Sequence, residues 1–230
     1  MIKVLYEDNH CIVVYKPAGM LVQSDITGDR TLADEVRAYL KEKGNKPGDV
    51  FLGMVHRIDR PVDGIVIFAK TSKGASRLSA QIRNHEFEKV YTACVEGIVE
   101  EKEQTLKHYL VKDERTNTVK AFSTERPESK EAILSYNVLG YKGQTTLLEV
   151  HLETGRSHQI RAQLSVIGHP IMGDSKYGSF LPYKKGAIAL TASKLCFNTP
   201  VGGERKCIEV PVDKSGIHQE HKSGGCCEGY

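Results

Sequence analysis

The stretch His56-Arg57-Ile58-Asp59-Arg60-Pro61-Val62-Asp63-Gly64-Ile65-Val66-Ile67-Phe68-Ala69 joins a charged, turn-forming half to an apolar one. From Gly64 to Ala69 nearly every position is apolar, with no polar alternation, which is the pattern of a strand covered on both faces. Just ahead of it Asp59 stands between Arg57 and Arg60, and Pro61 imposes a turn. A carboxylate beside guanidinium groups stays ionised, and one at the mouth of a buried strand is held rigidly. Taken alone, such an aspartate also fits a surface ion pair or a turn cap.

Working outward, Cys11 to Tyr15 forms an apolar strand stopped by the turn signal Lys16-Pro17-Ala18-Gly19. Thr31 is placed to cap a helix running to about Gly44, with Leu32, Val36, Tyr39 and Leu40 at helical spacing. Ser72 starts a second helix, directing Ala75, Leu78 and Ile82 inward. Val90 to Val99 reads as a strand interrupted at Gly97. The polar segment Glu100 to Lys130 is the least regular, holding short strands or a mobile insertion. Leu148, Val150 and Leu152 alternate with polar residues as in a half-buried strand. Ser157 to Ile167 predicts a third helix, ending at Gly168 ahead of Pro170. Late strands are expected over 187–191, 195–197 and 207–212. Many strands with few, separated helices imply an α+β fold: a mixed, largely antiparallel sheet with peripheral helices, in one domain over residues 1–212. The segment 213–230, rich in Lys, Ser, Gly and His, is expected to be a disordered tail. Its His218, His221, Cys226 and Cys227 are soft metal donors, but no metal is expected there.

Hydrophobic residues at 40% and charged residues at 27% of 230 are ordinary for a globular chain. No stretch approaches the roughly 20 apolar residues that span a bilayer. The opening Met1-Ile2-Lys3-Val4-Leu5-Tyr6-Glu7-Asp8 lacks the apolar core of a secretory signal, so a cytoplasmic protein without membrane contact is expected. The six cysteines form no C-x-x-C pair, which argues against a disulfide framework or structural zinc and for small buried hydrophobes. Net charge is only +3, yet from Gly155 to Leu195 the bases Arg156, Arg161, Lys176, Lys184, Lys185 and Lys194 face a single acid, Asp174. Bases gathered in this way suit a polyanion-binding face.

That region contains the second informative segment, Gly155-Arg156-Ser157-His158-Gln159-Ile160-Arg161. Arginine forks match phosphate and carboxylate groups. Arg156 and Arg161, about 140° apart on a helix, need not share a target, so one can bind phosphate while the other pairs with a buried carboxylate. His158 and Gln159 offer polar groups for ribose or phosphate contact, or for capping. Tyr91 follows Lys89 in a strand, where its ring can stack on a base or sit in the core. No metal-ligand spacing, G-x-G-x-x-G or G-x-x-x-x-G-K occurs, favouring chemistry without a cofactor.

In order and spacing these segments closely resemble the RluA-type family of pseudouridine synthases. The resemblance runs through Leu5-Tyr6-Glu7-Asp8, Lys16-Pro17-Ala18-Gly19, His56-Arg57-Ile58-Asp59 with Gly64 and Ala69-Lys70, and Tyr91-Thr92-Ala93 with Val95 and Gly97. It continues through Thr154 to Arg161, Gly168-His169-Pro170-Ile171, Gly173-Asp174 and Lys176-Tyr177-Gly178, so that it covers roughly residues 1–212. It implies the pseudouridine synthase catalytic fold and isomerisation of uridine in ribosomal or transfer RNA, with no metal or organic cofactor, by a protein expected to be a monomer. By position Asp59 matches the essential aspartate, Tyr91 the active-site tyrosine packed on the target base, and Arg161 the basic residue paired with the aspartate. Arg57 matches the arginine that displaces the target nucleotide, and His56, Arg156, His158 and Gln159 are expected to contact substrate.

The chain departs from the family pattern at Ile58, where leucine is usual, and at Asp63, which sets a second carboxylate before Gly64 in place of Ser or Thr. The S4-type RNA-binding domain of many larger members is not in the sequence. Substrate selection is therefore expected from the catalytic domain's own loops, Glu100 to Lys130 among them. Two other readings compete: an inactive RNA-binding protein on the same scaffold, and a glycosidic hydrolase using Asp59 and Asp63 as paired acids.

Overall fold

The computed structural model describes residues 2–25, 27–45 and 48–212. The expectations for the tail 213–230 and its His and Cys residues lie outside the described residues. The chain runs β1 Lys3–Glu7, β2 Cys11–Lys16, α1 Leu32–Lys43, β3 Gly53–Met54, β4 Asp63–Ala69, α2 Ser72–Arg83 and β5 Glu88–Glu96. It continues β6 Glu103–Asp113, β7 Thr118–Phe122, β8 Lys130–Lys142, β9 Thr145–Leu152, α3 Gln159–Val166, β10 Leu190–Asn198 and β11 Arg205–Glu209. All eleven strands share one sheet in the order β1-β2-β4-β10-β5-β9-β8-β6-β7, with β11 on β10 and β3 on β4. Only β4 and β10 pair in parallel, which makes the sheet mixed and largely antiparallel.

The apolar run over β4 is covered on both sides, and period-2 alternation divides it. Val66 and Phe68, with Ile12 and Val14 of β2, join Leu32, Val36 and Leu40 of α1 and Leu164 of α3 in the larger core. Ile65 and Ile67, with Cys11 and Val13, face Leu78 of α2 and Phe197 of β10. The capping signals act as read: the Thr31 side chain accepts from the Asp34 N–H while Asp34 reaches back to the Thr31 N–H, a capping box.

One alternative is decided and three local expectations are corrected. Glu100–Lys130 holds strands rather than a mobile insertion, since β6 and β7 form a hairpin that extends the sheet from β8. β10 is one strand where two were expected, because a register shift between Ala192 and Lys194 hides the alternation. α3 begins at Gln159, not Ser157, because His158 takes the left-handed conformation (φ 51°), which a helix cannot absorb. Finally, Cys196 and Cys207 are not isolated hydrophobes: they stand opposite each other in the β10–β11 register and form a disulfide. Among the described residues no helix is long and apolar enough to cross a membrane.

Candidate active site

Asp59 sits on the loop that enters β4, and that loop is clamped from below. The Val62 N–H donates to the Asp59 carbonyl at 3.1 Å, closing a turn. The buried Lys16 ammonium donates to the carbonyls of Arg60, Pro17 and Met20 at 3.1, 3.0 and 2.7 Å, and the Gly19 N–H reaches the Arg60 carbonyl at 2.8 Å. Burial draws the Lys16 pKa down to about 8, against the pull of Asp63 and Asp59. The segment read as a mere turn therefore fixes the loop that carries Asp59. Beyond it, Gly64 (φ +121°) passes so close to β10 that a Cβ would lie 2.3 Å from the Ala192 carbonyl oxygen. Only glycine fits that crossing.

Arg161 in α3 meets Asp59 from across the sheet. Its Nη1 donates to Asp59 Oδ2 at 3.1 Å, while Nε and Nη2 grip both oxygens of Asp174 at 2.7 and 2.9 Å. Side-chain exposure is 6% for Arg161, 2% for Asp174 and 27% for Asp59. Burial opposes the guanidinium charge, but the bonds and charges of Asp174 and Asp59 outweigh it and raise the Arg161 pKa. Arg161 thus pairs with a buried carboxylate, as the sequence allowed, and with Asp59 as well. Asp59 Oδ1 accepts no hydrogen bond among the described residues.

His158 approaches the same carboxylate, its Nε2 3.8 Å from Asp59 Oδ2. The Val119 N–H donates to the Tyr177 hydroxyl oxygen at 2.9 Å, and the same hydroxyl lies 2.7 Å from His158 Nδ1. When Nδ1 accepts the Tyr177 proton, the neutral ring carries its hydrogen on Nε2, toward Asp59. Burial lowers the His158 pKa, though Asp59 pulls the other way. Gln159 turns inward instead: its oxygen accepts from the Arg156 N–H and the Thr154 hydroxyl, and its amide donates to the Ile133 carbonyl. It ties down the loop before α3 rather than facing the cleft with a free amide.

Tyr91 projects from β5 into the same cavity of about 670 Å³ as Asp59 and Arg161. Burial, reinforced by the Asp59 charge, raises its pKa, so it remains a neutral phenol. The rim is cationic: Arg57, Arg83, Lys89 and Arg156 line the cavity, against the acids Asp59 and Glu153. Arg57 is exposed and makes no ion pair or hydrogen bond among the described residues, whereas Arg156 Nε donates to the Glu131 carbonyl. His56 also lines the cavity, but its Nε2 accepts from the Ile67 N–H at 3.0 Å, completing β4 where no strand does. Burial, helped by Lys89, brings its pKa to about 4, so it stays neutral. Asp63 stands apart from Asp59 and Arg161: its two oxygens accept from Tyr15 and Thr191, both at 2.6 Å. Asp174, Tyr177 and Lys16 also belong to this cluster, although sequence reading assigned them no role. Asp174 carried the one available signal, as the lone acid in a basic stretch.

The RNA pseudouridylate synthase family profile matches residues 10–166. An uncharacterized RNA pseudouridine synthase of Bacillus subtilis is 33% identical over 212 residues, covering 91% of this chain and 68% of that protein. A tRNA pseudouridine synthase C of Vibrio cholerae is 31% identical over 232 residues, covering 93% and 92%. Among solved structures, human RNA Pseudouridylate Synthase Domain Containing 4 shares the fold with a TM-score of 0.75 at 20% identity, over 92% of this chain and 89% of that one.

Proposed function

The chain belongs to the RNA pseudouridylate synthase family, and from that premise we propose that Asp59 is the carboxylate on which its isomerisation of uridine to pseudouridine depends. One observation carries this reading: Asp59 is held by Arg161, itself locked onto the buried Asp174, inside a cation-rimmed cavity that also contains Tyr91. The reaction breaks the bond between uracil N1 and ribose C1′ and forms one between C5 and C1′. N1 gains a proton and C5 loses one, so the product is an isomer of the substrate.

Asp59 acts on the ribose through its unbonded Oδ1, as nucleophile at C1′ or as base at C2′–H. Arg161 holds the carboxylate in place and leaves Oδ1 open. Tyr91, a phenol at any physiological pH, supplies a ring face to the detached uracil and a hydrogen-bond donor, not a base. The target base must first leave its stack, at a cost of a few kcal/mol. Arg57, free at the rim, is placed to fill the gap it leaves, and Arg156 and Lys89 to hold neighbouring phosphates. His158 supports Asp59, and the roles of His56 and Gln159 are structural. Residues 1–212 form the catalytic unit, acting in the cytoplasm on uridines of structured transfer or ribosomal RNA.

The test is tritium release from RNA labelled at uracil C5, using unmodified transfer and ribosomal RNA transcripts, with wild type and Asp59→Asn. Release by wild type alone supports the assignment. Equal release by both removes Asp59 from the chemistry. Binding without release by wild type favours an inactive RNA-binding protein.

A further inference from the structure

The loop between the Ser175–Tyr177 turn and β10 presents a feature that the isomerisation site does not use. Phe180 is 93% exposed, while the other exposed large hydrophobic side chains among the described residues reach 51% at most. Slack in the loop does not explain this. The Glu96 carboxylate accepts from the Leu181 N–H at 2.7 Å and from the Ser179 hydroxyl, and the Gly173 N–H donates to the Leu181 carbonyl at 3.0 Å. Tyr183 packs so tightly on Gly173 (φ +85°) that a Cβ there would lie 2.5 Å from it. The backbone is tied on both sides of Phe180, and the ring is still held out in water.

The surroundings indicate what covers it. Phe180 borders a cavity of about 670 Å³ together with the cations Arg60, Lys176 and Lys184, while Asp174, also on that wall, is fully engaged by Arg161. Lys185 follows next in the exposed loop. A single ring flanked by cations is the composition of a single-stranded nucleic acid contact, in which a base stacks and its phosphates meet lysines. A protein or membrane partner needs a broader apolar patch than Phe180 with the partly exposed Leu181 and Tyr183 provides. A further cavity shares Arg57 and Asp59 with the one holding Tyr91, and Arg60 and Lys176 with this one, so it lies between the two.

Resting on the proposed function, we propose that Phe180 is a stacking platform for a second, unpaired base of the substrate RNA, near the target uridine, with Lys184 and Lys185 on the adjoining phosphates. This assigns substrate selection to the loop 178–187 in addition to any contribution of the β6–β7 hairpin.

The experiment compares wild type, Phe180→Ala, Phe180→Trp and, as an exposed apolar control, Val201→Ala. Two readouts are taken: binding of a 12-nucleotide single-stranded RNA bearing 2-aminopurine, and tritium release from the labelled transcripts. Because the ring is exposed, all variants should melt like wild type. Phe180→Ala should weaken oligonucleotide binding by about fivefold or more, abolish the 2-aminopurine quenching and raise KM without changing kcat. Phe180→Trp should restore all three. Unchanged binding and KM in Phe180→Ala overturn the proposal. So does a change confined to self-association in sedimentation, which would make the loop a contact between copies. A wild type that binds the oligonucleotide through Phe180 but releases no tritium refutes the isomerase assignment and leaves the stacking surface standing.

Discussion

Asp174→Asn and Asp59→Asn should separate stability from chemistry in opposite directions. Asp174 is 2% exposed and offers both oxygens to Arg161, which is 6% exposed. Neutralising it leaves a buried guanidinium whose only remaining counter-charge is Asp59, 3.1 Å away and 27% exposed. Removing one partner of a buried pair costs about 3–5 kcal/mol. The amide keeps one acceptor and Asp59 stays, so the lower end applies, about 3 kcal/mol. For a chain of this size that lowers Tm by roughly 6–12 °C. Asp59→Asn removes one contact at the half-open mouth while the Arg161–Asp174 grip survives, so the loss is about 1 kcal/mol or less. Calorimetry beside tritium release gives the test. Asp59→Asn should melt within a few degrees of wild type yet be inactive, and Asp174→Asn should melt far lower and retain activity at reduced kcat below its Tm. If Asp59→Asn is the less stable of the two, Arg161 is anchored chiefly by Asp59 and the argument fails.

Tyr177→Phe strands the Val119 N–H, which should cost about 1–3 kcal/mol, and frees the His158 ring; Tm and kcat should both fall while KM for RNA holds, and an unchanged kcat would remove His158 from the site. His56, with a pKa of about 4 when folded against about 6.5 when unfolded, lets the unfolded chain bind the extra proton between those values. Stability should therefore be complete above pH 6.5 and fall toward pH 4, by about 3 kcal/mol. In urea titrations His56→Asn should be less stable than wild type at pH 7, with a gap that narrows as pH falls; a gap that stays constant with pH would rule out a buried neutral His56. Gly64→Ala must place a methyl group where the Ala192 carbonyl stands, at a φ that L-residues avoid, so the variant should fail to accumulate as folded protein. A wild-type melting curve would refute the tight β4–β10 crossing.

What was legible in the sequence was what local pattern controls. β2, β4, α1 and α2 carry their burial in contiguous or periodic residues, and the caps at Thr31 and Thr71 need no distant partner. β6 and β7 could not be told from a mobile insertion because β6 is largely polar and β7 spans only five residues; pairing of β6 with β8 and of β7 with β6 makes them strands, and the 103–113 sequence does not contain it. The start of α3 depends on a Tyr177 hydroxyl nineteen residues downstream that stabilises His158 in a left-handed conformation. The disulfide was hidden for a related reason. Cys196 and Cys207 are meaningless eleven residues apart until Pro200-Val201-Gly202-Gly203 is read as the turn of a hairpin, and then they are symmetric about it.

The site divides along the same line. Asp59, Tyr91 and Arg161 were found through resemblance, since nothing local ties residues 102 positions apart. Asp174 was seen only as a minority charge, yet a lone acid in a basic stretch is itself a clue, because such a group is stable when a base encloses it. Once placed, it resolves a conflict in the site's electrostatics. Phosphates call for positive charge, whereas a carboxylate that attacks or deprotonates ribose must not be neutralised by its own clamp. Asp59, Asp174 and Arg161 carry −1, −1 and +1, a net of −1, so Arg161 orients Asp59 while Asp174 takes up most of its charge. The rim cations Arg57, Arg83, Lys89 and Arg156 line the cavity without pairing to Asp59. A single arginine serving both tasks would either hold the carboxylate too tightly or release it to the phosphates. Under the proposed function, dividing the tasks between the Asp59–Arg161–Asp174 group and a basic rim lets one cleft attract a polyanion and keep its carboxylate available.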